Sequence, residues 1–178
     1  MGLLDSENSV VVGIDFQDKL VGMLPDKTCA EKMMKLAWAA TILNLPVIIT
    51  EQYPQGLGST ITELSKFGLE TIEKTSFSAF QQEEFKHAIL SCGKKQVIIG
   101  GIEAHICVHQ TVAELLDNGF EVFVVKDACG SRNKEEFECG IDRMKDNGAK
   151  ITCLEVVLFE LLRSSKHPRF KEVQALIK

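Results

Sequence analysis

Residues 96–108 read QVIIGGIEAHICV, a strand-like run that leads through two glycines into a helical pattern. Its first four residues predict a buried strand, and a helical pattern runs from Cys107 to Asn118, before Gly119. A thiol at such a strand-to-helix turn lies at the N-terminus of a helix, where backbone N–H groups and the helix dipole favour the thiolate. The same N–H groups could hold an oxyanion formed when the sulfur attacks a carbonyl. The segment therefore predicts a nucleophile together with its electrostatic support.

Strand and helix patterns alternate on both sides of this segment. Further strands are predicted at residues 10–14, 46–49, 69–73, 121–125 and 150–152. Thr28 with Glu31, and Thr60 with Glu63, have the spacing of capping boxes and predict two helix starts, the second helix ending before Gly68. Strands that are apolar along their length and alternate with helices imply a mostly parallel sheet covered on both faces. We therefore expect a single α/β domain over residues 1–178, a three-layer α/β/α, Rossmann-like fold with about six strands.

The composition and charge of the chain limit the kinds of molecule that it is expected to bind. The 178 residues carry a net charge of −5, which argues against a nucleic-acid-binding protein. The longest apolar runs are about five residues, far shorter than a membrane-spanning helix requires. The first residues read MGLLDS and match the N-myristoylation template, but no basic cluster follows them. We expect a small-molecule substrate and neither a nucleic-acid nor a membrane partner.

The six cysteines lie at positions 29, 92, 107, 129, 139 and 153. An even number allows three disulfides, but the cysteines are scattered, form no Cys-x-x-Cys pair and follow no export signal. Reduced thiols and a cytoplasmic location are the expectation.

Three reactive side chains follow three of the predicted strands. Asp15 directly follows the first strand, Lys74 follows the strand near residue 70, and Cys107 follows the Gly-Gly turn of the central strand. Parallel sheets bind ligands at the carboxyl ends of their strands. The three side chains are therefore predicted to meet at one edge of the sheet.

Several stretches, in this order, resemble the isochorismatase-like cysteine hydrolase family, in the branch of the eukaryotic isochorismatase-domain proteins and related bacterial hydrolases. They are VGIDFQ at 12–17, ITEQYPQGLG at 49–58, EKTSFS at 73–78, GIEAHICV at 101–108 and DA at 127–128. The resemblance implies an Asp–Lys–Cys triad, which falls on Asp15, Lys74 and Cys107. It also implies a cis peptide bond between Ile102 and Glu103 that aims the N–H groups of Glu103 and Cys107 at the substrate oxygen. Homo-oligomers are usual in this family.

Residue chemistry agrees with these roles. Asp15 would take the thiol proton and later return it to a leaving amine. Lys74 would favour the charged forms of the thiol and the carboxyl group through its opposite charge. The thiolate would attack a carbonyl and form a thioester that water then hydrolyses.

Each candidate also has a simpler interpretation. Cys107 could be a buried apolar residue, Asp15 a loop cap and Lys74 a solvated surface side chain. A Cys–His dyad would need His105 or His109, but His109 lies two positions from Cys107 on a helix and would not face it. The loops bordering the site supply a further set of candidate substrate contacts, for which packing is an equal explanation: Gln17, Gln52, Tyr53, Phe77, Phe80 and His105.

The loop after the second strand separates this chain from nicotinamidases. Those relatives carry an Asp and two His as metal ligands there, whereas this loop reads EQYPQG at 51–56 and has no histidine. We therefore expect neither a metal nor another cofactor. The predicted function is a metal-independent cysteine hydrolase of a small amide-like substrate. A vinyl ether hydrolase with Asp15 as the acid, or a silent binding or assembly protein, is the alternative.

Overall fold

A parallel sheet forms the centre of the protein, for which a computed structural model describes residues 2–67 and 69–178. The strands are β1 (Ser9–Ile14), β2 (Val47–Gln52), β3 (Glu70–Lys74), β4 (Gln96–Ile102), β5 (Glu121–Gly130) and β6 (Lys150–Thr152). They lie in the order β3-β2-β1-β4-β5-β6, and every neighbouring pair is parallel. The order reverses between β1 and β4, so the carboxyl ends of these two strands mark the usual ligand crevice of such sheets.

Helices cover both faces of this sheet. They are α1 (Asp18–Gly22), α2 (Thr28–Ile42), α3 (Pro54–Leu57), α4 (Thr62–Ser65), α5 (Glu83–Ser91), α6 (His109–Asp117), α7 (Lys134–Asp146), α8 (Leu154–Leu162) and α9 (Phe170–Gln174). One hydrophobic core packs α1, α2, α4, α8 and α9 against one face, and a second packs α5, α6 and α7 against the other. Val11 points into the first core while Val10 and Val12 point into the second. The predicted three-layer α/β/α fold is confirmed. In the described part of the chain, no helix combines the length and the hydropathy needed to cross a bilayer.

The two predicted capping boxes are wrong in detail. Thr28 is the first residue of α2, and its N–H and hydroxyl both donate to the Asp26 carboxylate, which lowers the pKa of Asp26. The Thr60 N–H and hydroxyl donate to Glu51 Oε1, so Thr60 does not cap α4. A carboxylate is the stronger acceptor in both places, which is why the threonines bond to it. Gly68, the predicted helix end, and Met1 of the myristoylation template lie outside the described residues.

The central strand is longer than its sequence pattern, because Gly100 and Gly101 belong to β4 and form no turn. A Cβ atom at Gly101 would lie 2.5 Å from Ile14 Cβ and 2.7 Å from Val108 Cγ2. Glycine thus allows the ends of β1 and β4 to approach closely, at the point where Asp15 and Cys107 follow them.

Gly101→Ala is expected to lower the free energy of unfolding by about 1–3 kcal/mol, because the added methyl group overpacks this contact. Urea denaturation measures the difference. Gly22→Ala is the matched control, since a Cβ there meets no atom within 4 Å. Equal stability of the two variants would contradict the close approach of the strands.

Candidate active site

Asp15 and Lys74 form a buried ion pair at the carboxyl edge of the sheet. Asp15 follows β1 with φ 56°, a left-handed conformation that Asp tolerates, and its N–H donates to the Thr50 carbonyl. Lys74 is the last residue of β3, and its Nζ lies 2.9 Å from Asp15 Oδ2. Neither side chain is exposed. A buried pair of this kind is sensitive to the loss of either partner.

The Lys74 ammonium is fully occupied by the protein. Besides Asp15, Nζ donates to Gln52 Oε1 at 2.6 Å, to the Phe77 carbonyl at 3.0 Å and to the Ser76 carbonyl at 3.2 Å. An ammonium has three N–H donors, so these four acceptors use all of them. Lys74 therefore acts as a fixed internal charge and has no donor left for a ligand.

Cys107 lies beside this pair, in a π-helical turn (Ala104–Val108) between β4 and α6. The side chain is buried, and the charges of Asp15 and Lys74 both act on its thiol group. The Thr111 hydroxyl donates to the Cys107 carbonyl at 2.7 Å and accepts the Ala79 N–H at 2.9 Å. This bridge joins the cysteine turn to the chain segment that follows β3.

Burial raises the pKa of the Cys107 thiol to about 12, and the negative charge of Asp15 adds to the increase. The positive charge of Lys74 opposes it without cancelling it. The expectation of a resting thiolate is therefore wrong, because the helix dipole, worth about 0.3–1 kcal/mol at a helix end, is too weak to offset burial. At neutral pH the resting Cys107 thiol is therefore neutral.

Side chains from the segment after β5 hold the cysteine turn in place. The Ile102 to Glu103 peptide bond is cis. The Glu103 carboxylate accepts from Arg132 Nε at 2.8 Å and from the Arg132 N–H at 3.1 Å. Helix α7 packs closely on the same turn, since a Cβ at Gly140 would lie 2.7 Å from the His105 Cα. The position of Cys107 thus depends on β4, α7 and the end of β5 together.

Comparison with known proteins agrees with this architecture. The family described as "Isochorismatase domain" matches residues 9–156. The chain belongs to the isochorismatase family. Isochorismatase domain-containing protein 2 of Xenopus laevis is 39% identical over 181 residues, which cover 99% of this chain and 87% of that protein. The predicted family and branch are confirmed.

Two solved structures are similar to this chain over nearly its whole length. A Caenorhabditis elegans protein described as MAR1 ribonuclease is 37% identical with a TM-score of 0.92, covering 99% of this chain and 92% of that one. The YcaC gene product of Escherichia coli is 27% identical with a TM-score of 0.89, covering 99% of this chain and 95% of that one. It is described as an octameric hydrolase of unknown specificity.

Two of the predicted substrate-contacting residues, Gln17 and Gln52, take part in hydrogen bonds that join neighbouring segments of the chain. The buried Gln17 donates through Nε2 to the carbonyls of Gln52 and Gly58, and its Oε1 accepts the Gln52 N–H at 2.7 Å. The Gln52 side chain accepts from Lys74 and donates to the Thr75 carbonyl at 2.8 Å. Both glutamines position Lys74 and its surroundings; substrate contact by either one stays a prediction.

The aromatic candidates differ in exposure. Tyr53 and Phe77 are 55% and 54% exposed. The backbone of each is hydrogen-bonded to Lys74. The Tyr53 N–H donates to the Lys74 carbonyl, and the Phe77 carbonyl accepts from Lys74 Nζ. Phe80 is buried and packs edge-on against Phe120 with ring centroids 6.4 Å apart. Tyr53 and Phe77 are therefore available to a ligand, whereas Phe80 belongs to the core.

The two histidines near Cys107 have other partners. His105 Nδ1 lies 2.9 Å from Ser131 Oγ, and His109 Nε2 lies 3.4 Å from Arg143 Nε. Burial and the Arg143 charge lower the pKa of His109. These contacts favour the Asp–Lys–Cys arrangement over a Cys–His dyad.

The structure adds one residue to the site that the sequence interpretation missed. Thr50 Oγ1 donates to Asp15 Oδ1 at 2.7 Å, and both side chains are buried. Thr50 lies in one of the family-like stretches and near the end of β2, and its place at the carboxyl edge of the sheet was the available signal.

The loop after β2 does not fit the metal site of the nicotinamidase relatives. Glu51 is the only carboxylate in residues 51–59, and its Oε1 already accepts both hydrogen bonds from Thr60. Across residues 2–67 and 69–178, no three His, Cys, Asp or Glu side chains cluster as metal ligands.

A cavity of about 830 Å³ lies elsewhere, at the carboxyl ends of β5 and β6. Its lining includes Cys29, Cys129, Phe137 and Val156, but none of Asp15, Lys74 and Cys107. The candidate active site is therefore defined by its reactive side chains and is separate from this cavity.

Proposed function

We propose that this isochorismatase-family protein is a metal-independent cysteine hydrolase that cleaves a C–N bond in a small amide-like substrate. The observation that supports the proposal is the position of the Cys107 thiol beside the buried ion pair of Asp15 and Lys74. The sulfur has a proton acceptor and a fixed cation within reach, which is the arrangement that nucleophilic catalysis by a thiol requires.

The raised thiol pKa determines the first step. Since the resting thiol is neutral, Asp15 takes its proton as Sγ attacks the carbonyl carbon, so the negative charge moves from the Asp15 carboxylate to the carbonyl oxygen. The N–H groups of Glu103 and Cys107 would hold that oxyanion. One such donor is typically worth about 2.7–4 kcal/mol in the transition state.

The later steps return the proton. Asp15 gives it to the amine nitrogen as the C–N bond breaks, which leaves a thioester on Cys107. Water then attacks the thioester while Asp15 accepts a proton from that water. Asp15 returns this proton to Sγ as the C–S bond breaks, which releases the carboxylic acid and regenerates the Cys107 thiol. Lys74 transfers no proton in these steps, because its donors are bound to Asp15, Gln52 and the 76–77 carbonyls.

The family relatives bear on assembly and substrate class. We propose that this chain forms a homo-oligomer, as the octameric Escherichia coli hydrolase does. We also propose a cytosolic location, because the cysteines of this chain are expected to be reduced. Cys29, Cys107, Cys129, Cys139 and Cys153 are free thiols. The ribonuclease description of the Caenorhabditis elegans protein is not extended, because a net charge of −5 opposes binding to a polyanion.

The test is a screen of small amides and esters with trapping of the acyl-enzyme by intact-mass spectrometry. Wild type and the exposed-thiol control Cys139→Ala are expected to show turnover and an acyl adduct located at Cys107, whereas Cys107→Ala shows neither. Turnover that survives in Cys107→Ala would favour the vinyl ether type of hydrolase with Asp15 as the acid. A folded wild type with no turnover and no adduct would favour the assembly protein.

A further inference from the structure

Thr50 lies between the two charged residues of the candidate site. It pairs with Ile14 of β1 on one side and with Ile72 of β3 on the other, and these strands lead to Asp15 and Lys74. Its backbone carbonyl accepts the Asp15 N–H at 3.1 Å, and its hydroxyl lies 2.7 Å from Asp15 Oδ1. Thr50 therefore contacts Asp15 through both its backbone and its side chain.

The direction of the hydroxyl bond follows from chemistry. An ionised carboxylate can only accept, so the Thr50 hydroxyl donates its proton to Oδ1. Lys74 donates to the other oxygen, Oδ2, at 2.9 Å. The two bonds, one to each oxygen, fix the plane of the Asp15 carboxylate.

We propose that Thr50 is a positioning residue whose hydroxyl holds the Asp15 carboxylate in the orientation that accepts the Cys107 proton. The proposal rests on the proposed hydrolase function. Among the described residues, the titratable groups that contact the Asp15 side chain are Lys74 from β3 and Cys107 from the turn before α6. From β2, only the neutral Thr50 hydroxyl contacts it, because the neighbouring Glu51 binds Thr60.

A purely structural role for Thr50 predicts a different result. Valine has nearly the shape of threonine, so Thr50→Val preserves packing while removing the donor to a buried carboxylate. Without that donor only Lys74 holds the plane of the carboxylate, so Thr50→Val is expected to slow proton removal from Cys107 by about 10–100-fold at pH 7. The substrate concentration that gives half the maximal rate should stay the same, because the change affects proton removal and not binding, whereas a purely structural defect would change both.

The probe is p-nitrophenyl acetate, and the measurement is the initial rate of Cys107 acylation at pH 7 over a range of probe concentrations, read by intact mass and corrected with Cys107→Ala. Thr50→Val should lower the maximal rate, and Thr50→Ser, which keeps the hydroxyl, should restore it. Thr41→Val is the matched control, since the hydroxyl of that exposed threonine donates to the Ala37 carbonyl within α2. Thr50→Ala replaces Thr50→Val if the latter does not fold.

The outcomes separate the two proposals. If wild type is acylated at Cys107 and Thr50→Val is acylated at the same rate, the role of Thr50 alone is overturned. A Thr50→Ser variant that behaves like Thr50→Val also overturns it, because the hydroxyl is then not the group that matters. A wild type that is not acylated at Cys107 at any pH overturns the hydrolase function and the Thr50 proposal with it.

Discussion

Asp15→Asn is expected to speed alkylation of Cys107 by iodoacetamide while abolishing hydrolytic turnover. The Asp15 charge helps to raise the pKa of the Cys107 thiol to about 12, so removing it lowers that pKa and leaves Lys74 to stabilise the thiolate. Below the pKa, each unit of decrease raises the thiolate fraction about tenfold at a given pH. Turnover is lost because asparagine cannot accept the thiol proton.

Intact-mass and peptide mapping of alkylation at pH 7–8 measure this effect, with the exposed Cys139 as an internal reference. We expect the Cys107 rate to rise at least about tenfold relative to Cys139. Asp18→Asn is the control, since Asp18 carries the same charge on an exposed helix start three residues away. A Cys107 rate in Asp15→Asn equal to or below that of wild type would show that the Asp15 charge does not act on the sulfur.

Lys74→Met is expected to lower the free energy of unfolding by about 3–5 kcal/mol. The substitution leaves the Asp15 carboxylate buried without its cation, and it removes the donor to Gln52 and to the carbonyls of residues 76 and 77. Breaking one partner of a buried pair is costly because the remaining charge stays in a medium that solvates it poorly. Urea denaturation with a constant slope measures the loss.

A double variant separates the charge from the packing. Asp15→Asn combined with Lys74→Met removes the unpaired carboxylate, so it should be more stable than Lys74→Met alone. Lys86→Met is the control, because Lys86 forms a partly exposed ion pair with Glu83 at 2.7 Å and such pairs contribute about 0–1 kcal/mol. Equal losses in Lys74→Met and Lys86→Met would contradict the burial of the first pair.

Much of the fold follows from local patterns in the sequence. The apolar, β-branched runs predict all six strands. Element ends were predicted less well, because they depend on competing partners distant in sequence. Thr60 bonds to Glu51, and β5 continues to Gly130 because its last residues pair with the glycine-containing end of β4.

The candidate site, like the fold, could be predicted from the sequence only in part. The order of residues along the chain is enough to place Asp15, Lys74 and Cys107 at one edge, since parallel strands all present their carboxyl ends there. The roles of Gln52 and Thr50 were not predictable, because each depends on a hydrogen bond between neighbouring strands whose register the sequence does not specify.

The amino-acid sequence by itself determined the layer order, the family and the edge of the sheet that carries the reactive groups, because these depend on residue type and periodicity. Only the tertiary structure decided that the Cys107 thiol is neutral at rest and that Lys74 has no free donor. The ionisation of the Cys107 thiol depends on its burial and on charges a few ångströms away, and three separate segments bring those charges together. The distances between these side chains exist only in the folded chain, so folding sets the protonation state of the thiol.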